Sequence, residues 1–175
     1  MTHTRSQVAR RGRESLVAMG VLGVVLLPAS GAEAATSVGR FTTLAAGTAA
    51  GLEIDGVAVL RRTATGTTGR VVLRGLEPGS TYAAHLHGQP CAAANPGGGR
   101  YMDVTGAGTA PPNELWFSSS AEPTAGIVAN RGGVAIGRGA VEWVARPEAR
   151  SVVIHAIPVG GTTAGGPKIA CADLE

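Results

Sequence analysis

The chain has 175 residues, 27 of them glycine, and an aromatic content of only 3%. This length suggests one domain, whose core must consist mostly of Val, Leu, Ile and Ala. Four arginines and two glutamates precede residue 35, so residues 35–175 contain eleven basic and ten acidic side chains. Their net charge of +1 gives no reason to expect a nucleic-acid partner.

Residues 1–34 have the pattern of a secretory signal peptide. Their basic region contains Arg5, Arg10, Arg11 and Arg13. The apolar run over 16–27 is short for a membrane span, and Ala32 and Ala34 stand where a signal peptidase reads small residues. We expect a secreted, extracytoplasmic chain that begins near Ala35 and has no membrane span after cleavage. An uncleaved anchor is the alternative, and both the general secretory and the twin-arginine routes stay open.

Short strand patterns separated by glycine and proline turns predict an all-β domain over 51–175. Residues 35–50 are small and polar, so we expect a flexible mature N-terminus with a first strand near Val38–Leu44. Further strands are predicted at 57–60, 70–74, 81–87, 126–130, 134–144, 151–157 and 168–172. Two glycines at 132 and 133 suggest a hairpin between the fourth and fifth of these. Many short strands of this kind are typical of a β-sandwich or barrel.

A long segment with little strand pattern, 88–120, follows the third of these strands. Pro90, Pro96 and the Pro111–Pro112 pair interrupt any β-ladder, and three consecutive glycines occupy 97–99. Loops of this length in small domains are usually functional or disordered. The segment is therefore an expected location for site residues.

The two cysteines, Cys91 and Cys171, both lie in the part of the chain that we expect to be exported. An even number of cysteines in an oxidising compartment favours a disulfide. The closed loop of about 80 residues would contribute roughly 4–5 kcal/mol in the chain-entropy treatment. Two free buried thiols are the alternative.

Three histidines remain after residue 34: His85, His87 and His155. His85 and His87 are two positions apart on a predicted strand, so their side chains share one face, and His155 lies in another strong strand. Three neutral imidazoles would suit a borderline transition metal. Spacing alone does not decide the matter, because such a pair on a strand is more often an ordinary surface or core feature.

Three segments of the chain resemble segments of one protein family and occur in the same order as in that family. They are Gly75–Gly79 with His85–Gly88 and Cys91, then Ser151–Ala156, then Gly165–Ala172. The first resembles the copper-ligand strand of the Cu/Zn superoxide dismutases. The second resembles the strand that brings the last copper histidine of that family. The third resembles its C-terminal segment, with an anion-guiding arginine and the second cysteine.

This resemblance covers roughly residues 51–175. It implies an eight-stranded Greek-key β-sandwich or barrel with long active-site loops. It also implies a Cys91–Cys171 disulfide and one copper ion at His85, His87 and His155.

The chain departs from that family at the zinc half of the site. Arg100 stands where the bridging histidine would fall, no histidine lies between Cys91 and His155, and Asp103 is the nearest carboxylate. Zinc is therefore not expected, because one carboxylate does not make a zinc site. Arg100 beside a metal would repel the cation and attract an anion; alternatively it points into solvent from the glycine loop.

Lys168 stands at the position of the guiding arginine. It keeps the positive charge but lacks the planar fork of a guanidinium. The resemblance implies that Lys168 draws a small anion toward the metal. The alternative is a solvated residue at the end of a strand.

The resemblance implies an extracytoplasmic, copper-dependent superoxide dismutase that is zinc-free and of reduced activity. Its partners would be copper and superoxide or another small anion. A non-catalytic copper-binding or copper-handling protein is the first alternative. A structural module that reuses the fold is the second, and fold alone does not choose among the three. The sequence leaves the oligomeric state open.

Overall fold

The computed structural model describes residues 34–109, 111–157 and 165–175. These residues form eight β-strands: β1 Ala35–Thr43, β2 Asp55–Arg62, β3 Thr67–Arg74, β4 Thr81–His87, β5 Ile127–Val128, β6 Ala135–Val141, β7 Ser151–Ala156 and β8 Lys168–Asp173. A short helix, α1 (Ala45–Ala49), and a 3-10 turn, Pro123–Ala125, complete the described elements. The predicted all-β class is confirmed. The predicted signal peptide lies outside the described residues apart from Ala34.

All strand pairs are antiparallel, in the order β5-β4-β7-β8-β1-β2-β3-β6. The strands β1, β2 and β3 are sequential neighbours, whereas β7 lies between β4 and β8. This arrangement requires the long crossing connections of a Greek key. No helix of the described segments is long and apolar enough to cross a membrane.

Alternation of side chains explains why β3 forms one wall of the core. Val71 and Leu73 are fully buried, while Arg70 before them and Arg74 after them are exposed. Large buried side chains elsewhere in the core are Leu60, Leu86, Leu115, Phe117, Ile127, Ile154 and Ile169.

The strands β4 and β7 are buried on both faces, unlike β3. Their inward residues, among them Leu86 and Ile154, belong to the core. Their other face, which carries all three histidines, is covered by the long connection from 88 to 126. This second covering layer is what makes a closed site possible.

Two regular elements, β1 and α1, occupy most of the segment 35–50, where the sequence predicts flexibility and a first strand. The first of its elements, β1, pairs with β2 from Ala35 to Phe41 and with β8 from Phe41 to Thr43. Gly39 allows β8 to approach closely, because a Cβ at this position would collide with the backbone of Asp173. Pairing on both sides satisfies the backbone of β1, and Phe41 is its buried anchor.

The expected hairpin around 131–133 is also different in the structure. The turn exists, with the Asn130 amide donating to the Val134 carbonyl over 2.9 Å. Its two flanking strands do not pair with each other, because β5 pairs with β4 and β6 pairs with β3. The turn therefore connects β5, the strand at one edge of the sheet, to β6, the strand at the other edge.

Cys91 and Cys171 form the expected disulfide, with their Cα atoms 5.7 Å apart. The bond joins the start of the long connection to β8. The backbone amide of Cys91 also donates to the Asp173 carboxylate over 2.7 Å. The connection is therefore anchored at its first turn.

Removing this disulfide should lower the free energy of unfolding by about 4 kcal/mol, because the unfolded chain regains the entropy of a loop of roughly 80 residues. The variant is Cys91→Ser/Cys171→Ser, measured by denaturant unfolding. A reductant should bring the wild-type protein to the stability of the variant and leave the variant unchanged. Equal stability of variant and oxidised wild type would contradict the prediction.

Candidate metal centre

The pairing of β4 with β7 brings the three histidines together. His85 and His87 lie on β4, and His155 lies on β7 opposite Ala83. The pairing of β7 with β8 has a register irregularity between Ile154 and His155, a feature often found next to functional sites. All three imidazoles are buried, and one nitrogen from each lies within 4.8 Å of the others.

Backbone carbonyls fix the tautomers of two of these rings. The Nδ1 atom of His87 lies 3.3 Å from the Gly98 carbonyl oxygen, and that of His155 lies 3.0 Å from the Gly166 carbonyl oxygen. A carbonyl oxygen can only accept, so each Nδ1 must carry the hydrogen. Each Nε2 is then left with a lone pair.

These two Nε2 atoms face each other across 3.3 Å. Burial is the first cause that lowers the pKa of His87 to about 3; repulsion from a protonated His155 and from the cations Lys168 and Arg100 acts in the same direction, against the opposing Gly98 hydrogen bond. Burial is also the first cause of the lowered pKa of His155. Both rings are therefore neutral near pH 7, and two lone pairs point at each other with no proton between them.

A metal cation between the two Nε2 atoms would remove this opposition of lone pairs. Two imidazole nitrogens, each about 2.0–2.1 Å from one metal at a tetrahedral angle, lie roughly 3.3 Å apart. The distance between the Nε2 atoms of His87 and His155 is the same. With His85 beside them, the neutral donor set fits a borderline transition metal.

Two glycines let the long connection approach the histidines. Gly97 and Gly98 have φ angles of 72° and 62°, a region that favours glycine. A Cβ on Gly97 would lie 2.5 Å from a methyl group of Val153 and 3.2 Å from the Cβ of His87. Larger residues here would move the loop away and with it the carbonyl that orients His87.

Lys168 holds this same loop. Its ammonium group donates to the Asn95 side chain at 2.7 Å, the Pro96 carbonyl at 2.7 Å and the Gly98 carbonyl at 2.6 Å. All three of its N–H groups are thereby engaged, and burial lowers the pKa of the amine. The reading of Lys168 as a solvated strand end is thus corrected. An anion drawn to Lys168 would have to displace one of the three hydrogen bonds between its ammonium group and the loop.

Arg100 lies beside β4, as its place in the sequence suggests. It forms an antiparallel bridge with His87, but its guanidinium turns toward a buried carboxylate. The Nη1 atom is 2.8 Å from Oε2 of Glu114, whose side chain is 1% exposed. This corrects both the solvent-pointing alternative and the expectation of an uncompensated charge, because the pair is neutral.

Glu114 is a site residue that the sequence analysis missed. Its Oε2 also accepts from the indole nitrogen of Trp116 over 2.7 Å. The Trp116 ring packs edge-on against His85, with centroids 4.4 Å apart, and the Arg100 guanidinium lies 5.6 Å from the ring centroid. The apolar run Leu115–Phe117 was the available signal that this part of the loop enters the core.

Comparison with known proteins supports the fold. No protein-family model matches the chain, and no curated protein matches its sequence. Among solved structures it is similar to the Cu/Zn superoxide dismutase from Brucella abortus, with a TM-score of 0.50 and 16% identity over 81% of this chain and 100% of that one. At this identity the likeness shows the fold alone, a superoxide dismutase-like antiparallel β-barrel. The fold class predicted from the sequence is thereby confirmed.

The metal-free protein should lose stability as the pH falls from about 6.5 to about 3. His87 has a lowered pKa in the folded state, so the unfolded chain binds the extra proton throughout this window. Each such imidazole contributes a slope of at most about 1.4 kcal/mol per pH unit. Urea unfolding of chelator-treated protein at a series of pH values measures it. His87→Gln should make the slope shallower; parallel curves would contradict the assignment.

Proposed function

We propose that this protein is an extracytoplasmic, copper-dependent superoxide dismutase-like protein, zinc-free and of low activity. The observation that carries the proposal is the pair of Nε2 atoms of His87 and His155, 3.3 Å apart in a buried three-histidine cluster. The superoxide dismutase-like barrel around the cluster supports the same reading.

Copper is the proposed metal because three neutral imidazoles suit it, and when bound it supplies one-electron chemistry through its two oxidation states. The residues of the chain do the rest. The carbonyls of Gly98 and Gly166 hold the Nε2 lone pairs of His87 and His155 toward the ligand position. The covering loop limits access by water, and Lys168 supplies a nearby positive charge.

The zinc-free part of the proposal rests on what occupies the neighbouring region. Arg100 offers only donors there, and its partner Glu114 is engaged by that arginine and by Trp116. Asp103 is paired with Arg146, 3.3 Å away. The charged side chains of this part of the loop are therefore engaged by partners within the protein, which supports a site without a second metal.

A copper-binding protein without turnover is the second candidate. Two observations favour it over the first. The donors of Lys168 are all engaged by the loop, and the charge of Arg100 is neutralised by Glu114. Both groups that the sequence analysis expected to attract an anion are therefore bonded within the protein.

Copper loading tests the site itself. Chelator-treated protein is incubated with Cu(II) or Zn(II), exchanged into metal-free buffer and subjected to elemental analysis, and we expect about one copper per chain. His85→Gln, His87→Gln and His155→Gln should each lose it, whereas Asp55→Asn, an exposed control on β2, should keep it. Equal copper retention in all four variants would contradict the site.

A dismutase assay of the copper-loaded protein then separates the candidates. Turnover above that of the metal-free protein supports the first, and retained copper without turnover supports the second. Failure to retain copper would leave only the structural module.

The extracytoplasmic location is supported by the Cys91–Cys171 disulfide and by the signal-peptide pattern of 1–34. N-terminal sequencing of the exported protein tests it. The proposal requires a chain that begins near Ala35. A full-length, membrane-retained chain would contradict it.

The Arg100–Glu114 pair should tune copper affinity in opposite directions. Arg100→Gln leaves the negative charge of Glu114 near the site and should raise Cu(II) affinity, whereas Glu114→Gln leaves a positive charge and should lower it. A unit charge roughly 10 Å away corresponds to a three- to tenfold change once screening is included. Competition titration with a chromophoric chelator measures it.

The double variant Arg100→Gln/Glu114→Gln should return close to the wild-type affinity, because it is again neutral. Asp103→Asn, which breaks the exposed pair with Arg146, is the matched control and should change little. Changes of the same sign in both single variants would show that the pair acts through folding and not through charge.

A further inference from the structure

The outward face of four neighbouring strands carries an unusual concentration of positive charge. It belongs to β1, β2, β3 and β6, whereas the histidines lie on β4 and β7. Its arginines are Arg40, Arg61, Arg70, Arg74 and Arg138, all exposed. Asp55 is the only acidic residue at the outward positions of these four strands. Since residues 35–175 carry a net charge of only +1, the positive charge is segregated onto this face.

These arginines have no partners within the described part of the chain. None of the five side chains makes a hydrogen bond or an ion pair with another described residue. Arg70 and Arg138 stand directly opposite each other on paired strands. Like charges in this position destabilise a sheet. An anion held between them would remove that cost.

A groove lies over the same part of the sheet. It has a volume of about 620 Å³ and runs between the strands and the segment from Ser120 to Pro123. Arg61, Arg70 and Arg138 line it, with Val59 among its apolar residues. A volume of this order is typical of clefts that hold small ligands or short chain segments.

We propose that this groove binds an acidic polysaccharide, whose carboxylates pair with Arg61, Arg70 and Arg138. Guanidinium groups form paired hydrogen bonds with carboxylates, and the C–H faces of sugar rings can pack on apolar side chains such as Val59. This inference is independent of the metal centre.

Other occupants fit the face less well. A second copy of the chain would bring five arginines against five arginines. A lipid surface requires apolar side chains that reach beyond the charges, and the exposed apolar residues Val38 and Ile136 are shorter than the arginines around them. Single-stranded nucleic acid requires aromatic platforms, and the outward positions of these four strands carry none.

Titration calorimetry with a de-esterified oligogalacturonate of about ten units tests the proposal, with a neutral maltooligosaccharide of equal length as the ligand control. The full-length wild-type protein should bind the acidic chain, more weakly as salt increases, and should not bind the neutral chain. Arg70→Gln/Arg138→Gln should lose roughly tenfold or more in affinity. Its Tm should not fall, because the substitution removes a like-charge pair.

Arg131→Gln/Arg150→Gln is the matched control, since it removes the same net charge from exposed positions away from the groove. It should keep its affinity within about twofold. Equal losses in the two double variants would overturn the proposal, because binding would then follow net charge alone. Absence of oligogalacturonate binding, or tighter binding to anionic phospholipid vesicles or duplex DNA, would overturn it as well.

Discussion

Attachment of the long loop between β4 and β5 to the sheet is the constraint on which the candidate site depends. The loop lacks a regular ladder of its own, so its position comes from bonds to distant residues. The Cys91–Cys171 disulfide joins its first turn to β8, and Lys168 of the same strand bonds three acceptors over 95–98. Without these attachments the outward face of β4 and β7 would be open to water, and three histidines on it would be ordinary surface residues.

The Gly98 carbonyl connects this attachment to the chemistry. It accepts from the Lys168 ammonium and also faces Nδ1 of His87. The position of the loop therefore decides which nitrogen of His87 carries the hydrogen, and hence whether Nε2 is a donor or a ligand. The position of the loop and the availability of the His87 Nε2 lone pair for a metal therefore depend on the same hydrogen-bond network.

Local pattern was sufficient for much of the fold. The apolar run at 71–73 predicted the centre of β3, and the spacing of His85 and His87 placed both side chains on one face. The even cysteine count favoured the disulfide, and the resemblance to a known family implied that His155 joins His85 and His87 at one site. The full extent of β1 was harder to predict from the sequence, because this strand is held by backbone pairing with β2 and β8 and has no regular apolar pattern.

Partners distant in sequence were beyond the reach of local pattern. The three acceptors of Lys168 are 70–73 residues away along the sequence, and no local sequence pattern around Lys168 predicts them. Glu114 resembles an ordinary loop acid until its contacts with Arg100 and Trp116 are known. Such residues become part of a site only through the fold, so their roles follow from coordinates and not from composition.

The last part of the loop, Leu115–Ser118, also completes the barrel. It bonds to β4 through Leu86 and Ala84, and Ser118 exchanges two backbone hydrogen bonds with Arg138 of β6. This short segment occupies the edges that β4 and β6 would otherwise expose. Exposed edges recruit strands from other molecules and begin aggregation. The peptide that brings Trp116 to the histidines therefore also protects the chain against intermolecular β-pairing, and its loosening would endanger solubility as well as the site.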